Sequence, residues 1–426
     1  MYSMKLSVVG GGYVGLVTGT CFAELGHDVT IIEIDPEKVR AINDGVPPIY
    51  EDGLENLLKK NTGKRLRAST GYESVSSSEI VFIAVGTPPK PDGSANLAYI
   101  ESASTSIGEA LKNSSPYCVV VVKSTVPPGT TEKIVKPAVL KASGKTEYET
   151  GFAMNPEFLR EGRAVEDFLH PDRIVIGSSD PRAGDRVAKV YQDHKAPVLR
   201  TGLTAAEMIK YTSNAFLATK ISFSNEIGNI CKNLNIDVYE VMKGVGLDPR
   251  IGPLFLNAGA GFGGSCFPKD VSALVSLAKE TGENPILLQS VLAVNEQQPQ
   301  RMIALLEKRI GTLSGKRIAV LGLAFKDNTD DIRDSRAIPV IETLVTKGAR
   351  VTAYDPMAIP NMQRVFPAIE YSSSAAKALT GADACLVMTE WPEFSRLDKE
   401  FDLMKHKVII EGRRILSCKG VEGICW

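Results

Sequence analysis

The residues best suited to covalent chemistry lie in the stretch GFGGSCFPKD, residues 261–270. Cys266 follows a glycine-rich loop and precedes Pro268, which suits the first turn of a helix because it lacks an N–H that would go unpaired there. The next residues, VSALVSLAKE, have helical periodicity. Cys266 is therefore predicted beside a helix N-terminus, where the helix dipole and the cation Lys269 favour a nucleophilic thiolate. The alternative is an inert, half-buried cysteine, but the density of glycine, proline and lysine around it favours a reactive thiol.

A long helix is predicted over residues 204–234, where a helical period is sustained for roughly eight turns. Lys210 and Asn214 are four residues apart, so they share one face of this helix. On a fully solvated helix the pair would be unremarkable. Here the neighbouring face is apolar, which favours a partly buried, functional pair.

A dinucleotide site is predicted at the N-terminus, where the apolar run MKLSVV leads into GGGYVG and then into a helix. In this βαβ pattern the first glycine makes the turn, the second admits the pyrophosphate and the third lets helix and strand pack closely. Glu33, at the end of the second strand, supplies the acid that accepts from ribose hydroxyls and repels a 2′-phosphate, so NAD is favoured over NADP. Asp35 is predicted to cap the next helix, which begins at Pro36. The residues of the turn are Gly10, Gly11, Gly12, Tyr13, Val14 and Gly15.

Strands and helices then alternate up to about residue 200, which predicts a doubly wound parallel sheet. Ligands bind at the carboxyl ends of the strands in such sheets. This singles out the loops that contain Thr87, Thr125 and Glu157, although ordinary turn chemistry explains any one of them equally well.

The same alternation of strands and helices restarts at residues 314–315, this time without a GxGxxG turn, which favours a mononucleotide or a sugar nucleotide over a dinucleotide. The alternative is a degenerate duplicate that serves only dimerisation, against which Lys326 and Arg333 argue. The fold class predicted is α/β, with two Rossmann-like doubly wound sheets joined by a long central helix and a helical middle. The domains expected are residues 1–200 for NAD, 201–312 as a central helical domain and subunit interface, and 313–426 for the sugar nucleotide.

The bulk composition excludes several classes of function. The 426 residues carry 49 basic and 50 acidic side chains, so no nucleic-acid or membrane partner is indicated. The N-terminal stretch lacks the layout of a signal peptide, and seven scattered cysteines favour reduced thiols, so we expect a cytoplasmic protein. With four histidines and no CxxC, no metal site is expected.

Across nearly its whole length the chain resembles the UDP-glucose/GDP-mannose dehydrogenase family. The motifs occur in the family's order and at its spacing, and the stretch GFGGSCFPKD is similar to the branch that acts on UDP-glucose. They are GGGYVG, FIAVGTP, KSTVPPGT, NPEFLREG, PDRIVIG, KYTSNAFLATKISFSNE, GFGGSCFPKD and LGLAFKDNTDDIRDS.

The resemblance implies that a sugar-nucleotide CH₂OH is oxidised to a carboxylate while two NAD⁺ are reduced. Cys266 matches the nucleophile that traps the aldehyde, Lys210 and Asn214 the pair that steadies the oxyanion, and Glu157 a general acid or base. Asp270 and Thr125 match the pair that orders the hydrolytic water. The remaining matches are Glu33, Lys38, Thr87, Thr125, Glu161, Lys269 and Arg333 for the cofactor, and Glu157, Phe158, Leu159, Arg160, Glu161, Lys210, Asn214, Arg250, Phe255, Leu256, Asn257, Ala258, Gly259, Gly263, Phe325 and Lys326 for the substrate.

These residue types suit the implied chemistry. An aldehyde has no carbinol hydrogen to give until a nucleophile adds to it, which a thiolate can do. The oxyanion then needs donors, and a carboxylate can help water to attack the thioester. The chain departs from the family where it has Glu33 in place of Asp, and where Asp52 and Asp327 replace loop prolines.

Other functions stay open at this point. The same chemistry could act on GDP-mannose or a UDP-N-acetylhexosamine. A two-electron dehydrogenase of small hydroxy acids, which needs no cysteine, and a catalytically silent nucleotide sensor are further alternatives. A homodimer or higher homo-oligomer is expected, because a helical middle of this size commonly supplies a subunit interface.

Overall fold

A computed structural model describes residues 3–114 and 117–426 of the chain. The N-terminal stretch that lacks the layout of a signal peptide begins at Met1, which lies outside the described residues. The chain divides into two compact units, Met1–Ser213 and Asn214–Trp426. Within the described residues, no helix is both long enough and apolar enough to cross a membrane.

The first unit alternates strands and helices, as its sequence predicts. Its strands are β1 (Lys5–Val9), β2 (Asp28–Ile32), β3 (Leu66–Ser69), β4 (Ile80–Ile83), β5 (Cys118–Val122), β6 (Thr150–Met154), β7 (Ile174–Ser178) and β8 (Val198–Thr201). Its helices are α1 (Tyr13–Glu24), α2 (Pro36–Asn43), α3 (Leu54–Asn61), α4 (Ala98–Leu111), α5 (Lys136–Ser143), α6 (Ala164–Leu169) and α7 (Pro181–Val190).

The strands of the first unit form one sheet in the order β3-β2-β1-β4-β5-β6-β7-β8. The order reverses between β1 and β4, which is the switch point where such sheets bind ligands. Strand β7 pairs with β6 in the antiparallel direction and with β8 in parallel, so the sheet is not wholly parallel as expected. The sequence carries no signal for this reversal, because buried strands of either direction read as continuous apolar runs.

The first turn of the sheet has the backbone that its glycines predict. Gly10 has φ +106°, which an L side chain rarely adopts. A Cβ on Gly15 would lie 1.9 Å from the carbonyl oxygen of Gly10, whereas a Cβ on Gly12 would meet nothing within 4 Å. Gly15 therefore permits the close packing of α1 on the turn, and Gly12 leaves open space in front of the helix N-terminus.

The second unit contains helices and a second sheet. Helix α8 (Leu203–Leu234) crosses the division between the two units. The other helices are α9 (Val238–Gly246), α10 (Phe267–Glu280), α11 (Ile286–Ile310), α12 (Ala337–Thr346), α13 (Ile359–Val365) and α14 (Ala375–Leu379). The strands are β9 (Arg317–Leu321), β10 (Arg350–Tyr354), β11 (Glu370–Tyr371), β12 (Ala384–Val387), β13 (Ile409–Glu411) and β14 (Val421–Gly423).

The second sheet is parallel in all its pairs, in the order β11-β10-β9-β12-β13-β14. This is the order of the first six strands of the first sheet, and its reversal lies between β9 and β12. The prediction of two doubly wound α/β sheets and a helical middle is confirmed.

Two local features of the helices differ from the prediction. The helical stretch that ends in α5 begins with a π-helical segment, Thr131–Val135. Pro137 opens α5 and cannot donate a backbone hydrogen bond into the preceding turn, which gives a reason for the wider geometry. Helix α9 was not predicted, although its N-cap Asp237 accepts from the backbone of Tyr239 at 2.9 Å in the usual way.

Candidate active site

Glu157 and Lys210 form a buried ion pair in the first unit. Lys210 Nζ lies 2.8 Å from Glu157 Oε1, and both side chains are about 5% exposed or less. Burial raises the pKa of Glu157, but the charge and hydrogen bond of Lys210 outweigh it and leave the pKa lowered. The other carboxylate oxygen accepts from the backbone of Leu159 at 2.6 Å. Glu157 is thus held ionised and oriented in the loop after β6.

Aromatic and cationic side chains surround this pair. The ring of Phe158 lies 5.5 Å from Lys210 Nζ, and the guanidinium of Arg173 lies 3.9 Å from the centre of the same ring. Such cation–π contacts attract a cation to the ring face. Phe158, which the resemblance assigns to the substrate site, therefore lies against Lys210 of the ion pair.

The two threonine loops of the first sheet meet each other. The hydroxyl of Thr87 donates to the carbonyl of Thr125 at 2.9 Å. The segment after Thr125 is held by Glu207, a fully buried residue of α8 that sequence reasoning missed. Its carboxylate accepts from the backbone and hydroxyl of Thr131 at 2.8 and 2.6 Å, and from the backbone of Gly129. Helix α8 thereby positions the loop that contains Thr125.

The glycine turn fits a dinucleotide. The N-terminus of α1 has no side-chain cap, and Gly12 leaves open space in front of it. Backbone amides at such a helix start bind anions such as a pyrophosphate. The carboxylate of Glu33 stands beside the turn and accepts from the backbone of Gly11 at 2.8 Å and of Asp35 at 3.0 Å. Each oxygen keeps a further lone pair for a ribose hydroxyl.

Tyr13 and Glu51 tie the glycine turn to the loop after β6. The hydroxyl of Tyr13 donates to Glu51, and burial together with this carboxylate raises the pKa of Tyr13. Glu51 is buried and also accepts from the backbone of Gly162 at 2.7 Å and of Ala164 at 2.6 Å. The charge of Glu161 reaches Tyr13 as well. No role was predicted for Glu51.

Three other predicted residues of the first unit are Val14, Lys38 and Arg160. Val14 packs on the hydrophobic core, and Lys38 is half-buried on α2. Arg160 is exposed and forms an ion pair with Asp167 at 2.6 Å, while its carbonyl accepts from Tyr13 at 3.3 Å. The predicted cap of α2 is confirmed, since Asp35 accepts from the backbone of Glu37 at 2.9 Å.

In the second unit, Cys266 lies where its sequence predicts. It is the N-cap of α10, Pro268 occupies the first turn, and the carbonyl of Cys266 accepts the first helical bond from Asp270 at 2.8 Å. Asp270 is 1% exposed. Its carboxylate accepts from Asn214 at 2.6 Å and pairs with Lys269. The structure therefore brings Asn214, Lys269 and Asp270 together within one turn of the cysteine.

The glycine loop before Cys266 is fixed by buried polar side chains that were not predicted. Asn295 accepts from the backbone of Phe262 at 2.7 Å and donates back to its carbonyl at 3.0 Å. Asn225 accepts from the backbone of Gly259 at 2.7 Å, and Gln298 donates to the Gly259 carbonyl at 2.8 Å. Arg413 donates to the carbonyl of Gly261 at 2.6 Å. These hydrogen bonds fix the backbone of the loop that leads to Cys266.

The loop after β9 reaches the same glycines. The backbone of Gly264 donates to the carbonyl of Arg333 at 2.9 Å, and a Cβ on Gly264 would lie 2.7 Å from the ring of Phe325. A Cβ on Gly263 would lie 2.3 Å from the carbonyl oxygen of Asp334. Lys326 Nζ lies 5.8 Å from the centre of the Phe325 ring, and the guanidinium of Arg333 pairs with Asp331.

The turn after β9 in the second sheet differs from the glycine turn after β1 in the first sheet. Asp355, which follows β10 as Glu33 follows β2, accepts from the backbone of both Leu323 and Ala324, at 2.7 and 3.1 Å. The amides after β9 are thereby already occupied. This agrees with the absence of a dinucleotide motif in that turn.

Arg250 lies in an exposed turn of the second unit. Its side chain is 86% exposed and pairs with Asp248 at 2.6 Å. In the predicted substrate loop, Phe255 has φ +62°, an unusual conformation for a bulky residue. Leu256 is buried, the carbonyl of buried Ala258 accepts from Tyr239 at 2.7 Å, and Asn257 is exposed. Among the described residues, no group of three or more His, Cys, Asp or Glu could hold a metal ion.

The glycine turn with its acid, together with a cysteine beside a buried Asn–Asp pair, defines an NAD-dependent dehydrogenase. Comparison with known sequences agrees. The NAD binding domain of the UDP-glucose/GDP-mannose dehydrogenase family matches residues 4–195, its central domain residues 204–297 and its UDP binding domain residues 319–418. The chain belongs to the UDP-glucose/GDP-mannose dehydrogenase family.

Relatives are similar over the whole chain. UDP-glucose 6-dehydrogenase AglM of Haloferax volcanii is 50% identical over 420 residues, which cover 97% of each chain. UDP-glucose 6-dehydrogenase TuaD of Bacillus subtilis is 46% identical, with 98% of this chain and 91% of the relative covered. The solved structure of a UDP-glucose dehydrogenase from Pyrobaculum islandicum has a TM-score of 0.96 at 43% identity and covers 100% and 98% of the two chains. A UDP-D-ManNAc dehydrogenase from Pyrococcus horikoshii has a TM-score of 0.88 at 31% identity, with 99% of each covered.

Replacing Glu157 by glutamine is expected to cost about 3–5 kcal/mol of stability, because it leaves the charge of Lys210 buried without its partner. Urea unfolding followed by circular dichroism measures this. The lowered pKa of Glu157 means that the wild-type advantage is present above pH 4.5 and is lost as the pH falls through the native pKa. Glu55→Gln, in the exposed pair with Lys59, should cost at most about 1 kcal/mol. Equal losses in the two variants would contradict the account.

Proposed function

We propose that this protein is an NAD-dependent UDP-glucose 6-dehydrogenase that oxidises the C6 alcohol through an aldehyde and a Cys266 thioester to the acid. The observation that carries the proposal is the position of Cys266 at the N-terminus of α10, one turn before buried Asp270, which accepts from Asn214. A two-electron dehydrogenase would need neither the thiol nor a carboxylate to activate water.

The cofactor would be held by the glycine turn, with Glu33 at the adenine ribose, and Lys38, Thr87, Thr125, Glu161, Lys269 and Arg333 as further contacts. NAD⁺ supplies the acceptor for one hydride in each of the two oxidations. Tyr13 and Glu51 fix the turn that faces the pyrophosphate, because they join α1 to the loop after β6.

Cys266 overcomes the difficulty of the second oxidation. Its sulfur adds to the aldehyde carbon and gives a tetrahedral thiohemiacetal, which again carries a hydrogen on that carbon. Loss of this hydrogen as hydride, and of the hydroxyl proton, leaves a thioester. Hydrolysis breaks the carbon–sulfur bond, forms the acid and returns the thiol.

Lys210 and Asn214 share one face of α8 and supply donors to the oxyanion of each tetrahedral intermediate. Glu157 holds Lys210 in place and acts as a general acid or base. Asp270 and Thr125 order the water that attacks the thioester. Asn214 also donates to Asp270, so the same amide side chain orients Asp270 and supplies a donor to the oxyanion.

UDP-glucose is proposed as substrate because relatives of 40–50% identity over nearly the whole chain are UDP-glucose 6-dehydrogenases. The substrate contacts proposed are those of the loop 157–161, the loop 255–259, Arg250, Gly263, Phe325 and Lys326. A UDP-N-acetylhexosamine is the second candidate, since the Pyrococcus horikoshii structure is of such an enzyme at 31% identity. A screen of NADH release over UDP-glucose, UDP-N-acetylhexosamines and GDP-mannose separates them.

We also propose the three domains 1–200, 201–312 and 313–426, and a cytoplasmic location. The three matched segments of the family support the first proposal. All seven cysteines are free thiols, as is usual in a reducing compartment.

Cys266→Ala is expected to lower formation of the acid by about 10³-fold or more, because the aldehyde can no longer be trapped. Wild-type enzyme should release two NADH per UDP-glucose consumed, measured by absorbance against product analysis. Cys418→Ser is the matched control, since Cys418 is the other cysteine that is not fully buried. A ratio of one NADH, or full activity of Cys266→Ala, would refute the four-electron scheme.

A homodimer is proposed through the exposed apolar side of α8. Phe216, Phe223 and Ile230 recur every seven residues and are 64, 52 and 50% exposed, which forms a stripe that a second copy can cover. Phe223→Glu should therefore shift the chain from dimer to monomer in sedimentation velocity. Tyr148→Glu, at a residue 91% exposed in the first unit, should leave the dimer intact. A wild-type monomer would contradict this proposal.

A further inference from the structure

A polar cavity of the first unit is lined in part by a buried lysine, Lys123. Its volume is about 260 Å³, and its walls include Lys123, Asn155, Glu157 and Tyr191. All four of these residues are buried. A polar cavity of this size has room for ordered water. The proposed mechanism uses Glu157 but gives no role to the lysine beside it.

Lys123 is held by neutral partners. It follows β5 directly, as Asn155 follows β6, so the two residues are neighbours at the carboxyl edge of the sheet. Its Nζ donates to Asn155 Oδ1 at 2.9 Å and to the hydroxyl of Tyr191 at 3.2 Å. Tyr191 in turn donates to Asn155 Oδ1 at 2.6 Å, and Asn155 donates to the carbonyl of Val175 at 2.7 Å. The lysine side chain is therefore fixed without a carboxylate of its own.

The charged groups that act on Lys123 are few. The charges of Glu157 and Lys210 shift the pKa of Lys123, and Tyr191 is the titratable group in contact with it. Farther along the cavity wall, Arg160 and Asp167 neutralise each other as an ion pair. The remaining charged or titratable wall residues are Arg163, Glu166, His170, Asp172 and Arg173.

We propose that Lys123 is a positioning residue for Glu157: its ammonium charge sets how readily the Glu157 carboxylate accepts a proton during turnover. The inference deepens the proposed function and rests on it for the role of Glu157. With Lys123 protonated, the cluster of Lys123, Glu157 and Lys210 carries one net positive charge. With Lys123 neutral, the cluster is neutral and Glu157 is the stronger base.

The surroundings of Lys123 place its change of charge near neutral pH. Burial lowers the pKa of Lys123 to about 7, with Glu157 opposing the shift and Lys210 adding to it. The charge of Lys123 is also among the causes that lower the pKa of Glu157. The cavity gives the released proton a polar route away from the buried cluster.

Lys123→Met removes the charge and keeps the length of the side chain, while Tyr191 still satisfies Asn155. In the pH profile of kcat, the acidic limb should move to higher pH by about half a unit or more, because Glu157 loses a positive neighbour. The basic limb should stay in place, because wild-type Lys123 is already neutral there. A lysine that only fills space would move neither limb. Lys64→Met, in an exposed turn, is the control for the loss of one charge.

Unfolding in urea tests the same lysine without catalysis. Native Lys123 releases its proton near pH 7 and an unfolded lysine near pH 10.5, so the wild type gains stability as the pH rises between these values. The urea midpoint of the wild type, relative to Lys123→Met, should therefore rise over this window and stay flat below it. Lys64→Met should show no such slope.

The outcomes separate the two proposals. A rising midpoint together with a shifted acidic limb supports the role of Lys123. A flat midpoint, or limbs that coincide in wild type and Lys123→Met, overturns it. Wild-type enzyme that releases no NADH from any nucleotide sugar refutes the proposed function, and the role inferred for Lys123 falls with it even if the midpoint rises.

Discussion

The hydrogen bond from Asn214 to Asp270 is the contact on which the proposed chemistry depends. It is 2.6 Å long and fully buried, and it joins helix α8 to the first turn of helix α10. Cys266 is the N-cap of that turn, so the bond fixes the cysteine's helix against the part of α8 that begins at Asn214. A short bond between an amide and a carboxylate is charge-assisted and holds its geometry well. In the proposed mechanism, Asp270 is thereby an oriented base.

The proposed active-site region contains several buried ionisable groups. Burying such groups lowers the free energy of unfolding, so stability alone does not explain them. Glu157, Lys210, Glu207 and Lys123 are each at most 5% exposed. Each one has a defined partner: an opposite charge, backbone amides or neutral side chains. Burial at this density perturbs pKa values in both directions, which is how one fold obtains acid and base chemistry near neutral pH. The buried carboxylate of Asp355 in the second sheet accepts from backbone amides and from the Trp391 indole.

The sequence predicts those parts of the site that have a local signature. Pro268 after a glycine run predicts Cys266 at a helix start, and the glycine turn with Glu33 predicts the dinucleotide site. The ion pair of Glu157 with Lys210 was not predicted, although both residues were singled out. A contact between residues that are far apart in the sequence leaves no periodic pattern in it. Asn295, Glu207 and Lys123 were missed for the same reason.

Backbone geometry sets a second limit on prediction from sequence. The reversed strand β7 and the π-helical segment before α5 keep the apolar pattern that ordinary strands and helices show. Arg250 was assigned by resemblance, and here it pairs with Asp248 on an exposed turn.

The most direct test of the account is mass spectrometry of the Cys266 peptide from enzyme quenched in acid during turnover. Asp270→Asn should slow hydrolysis, so enzyme supplied with UDP-glucose and NAD⁺ should accumulate the UDP-glucuronyl mass on Cys266 and on no other cysteine. An unmodified Cys266 peptide in a sample that has released NADH, with free acid formed, would contradict covalent catalysis by this thiol.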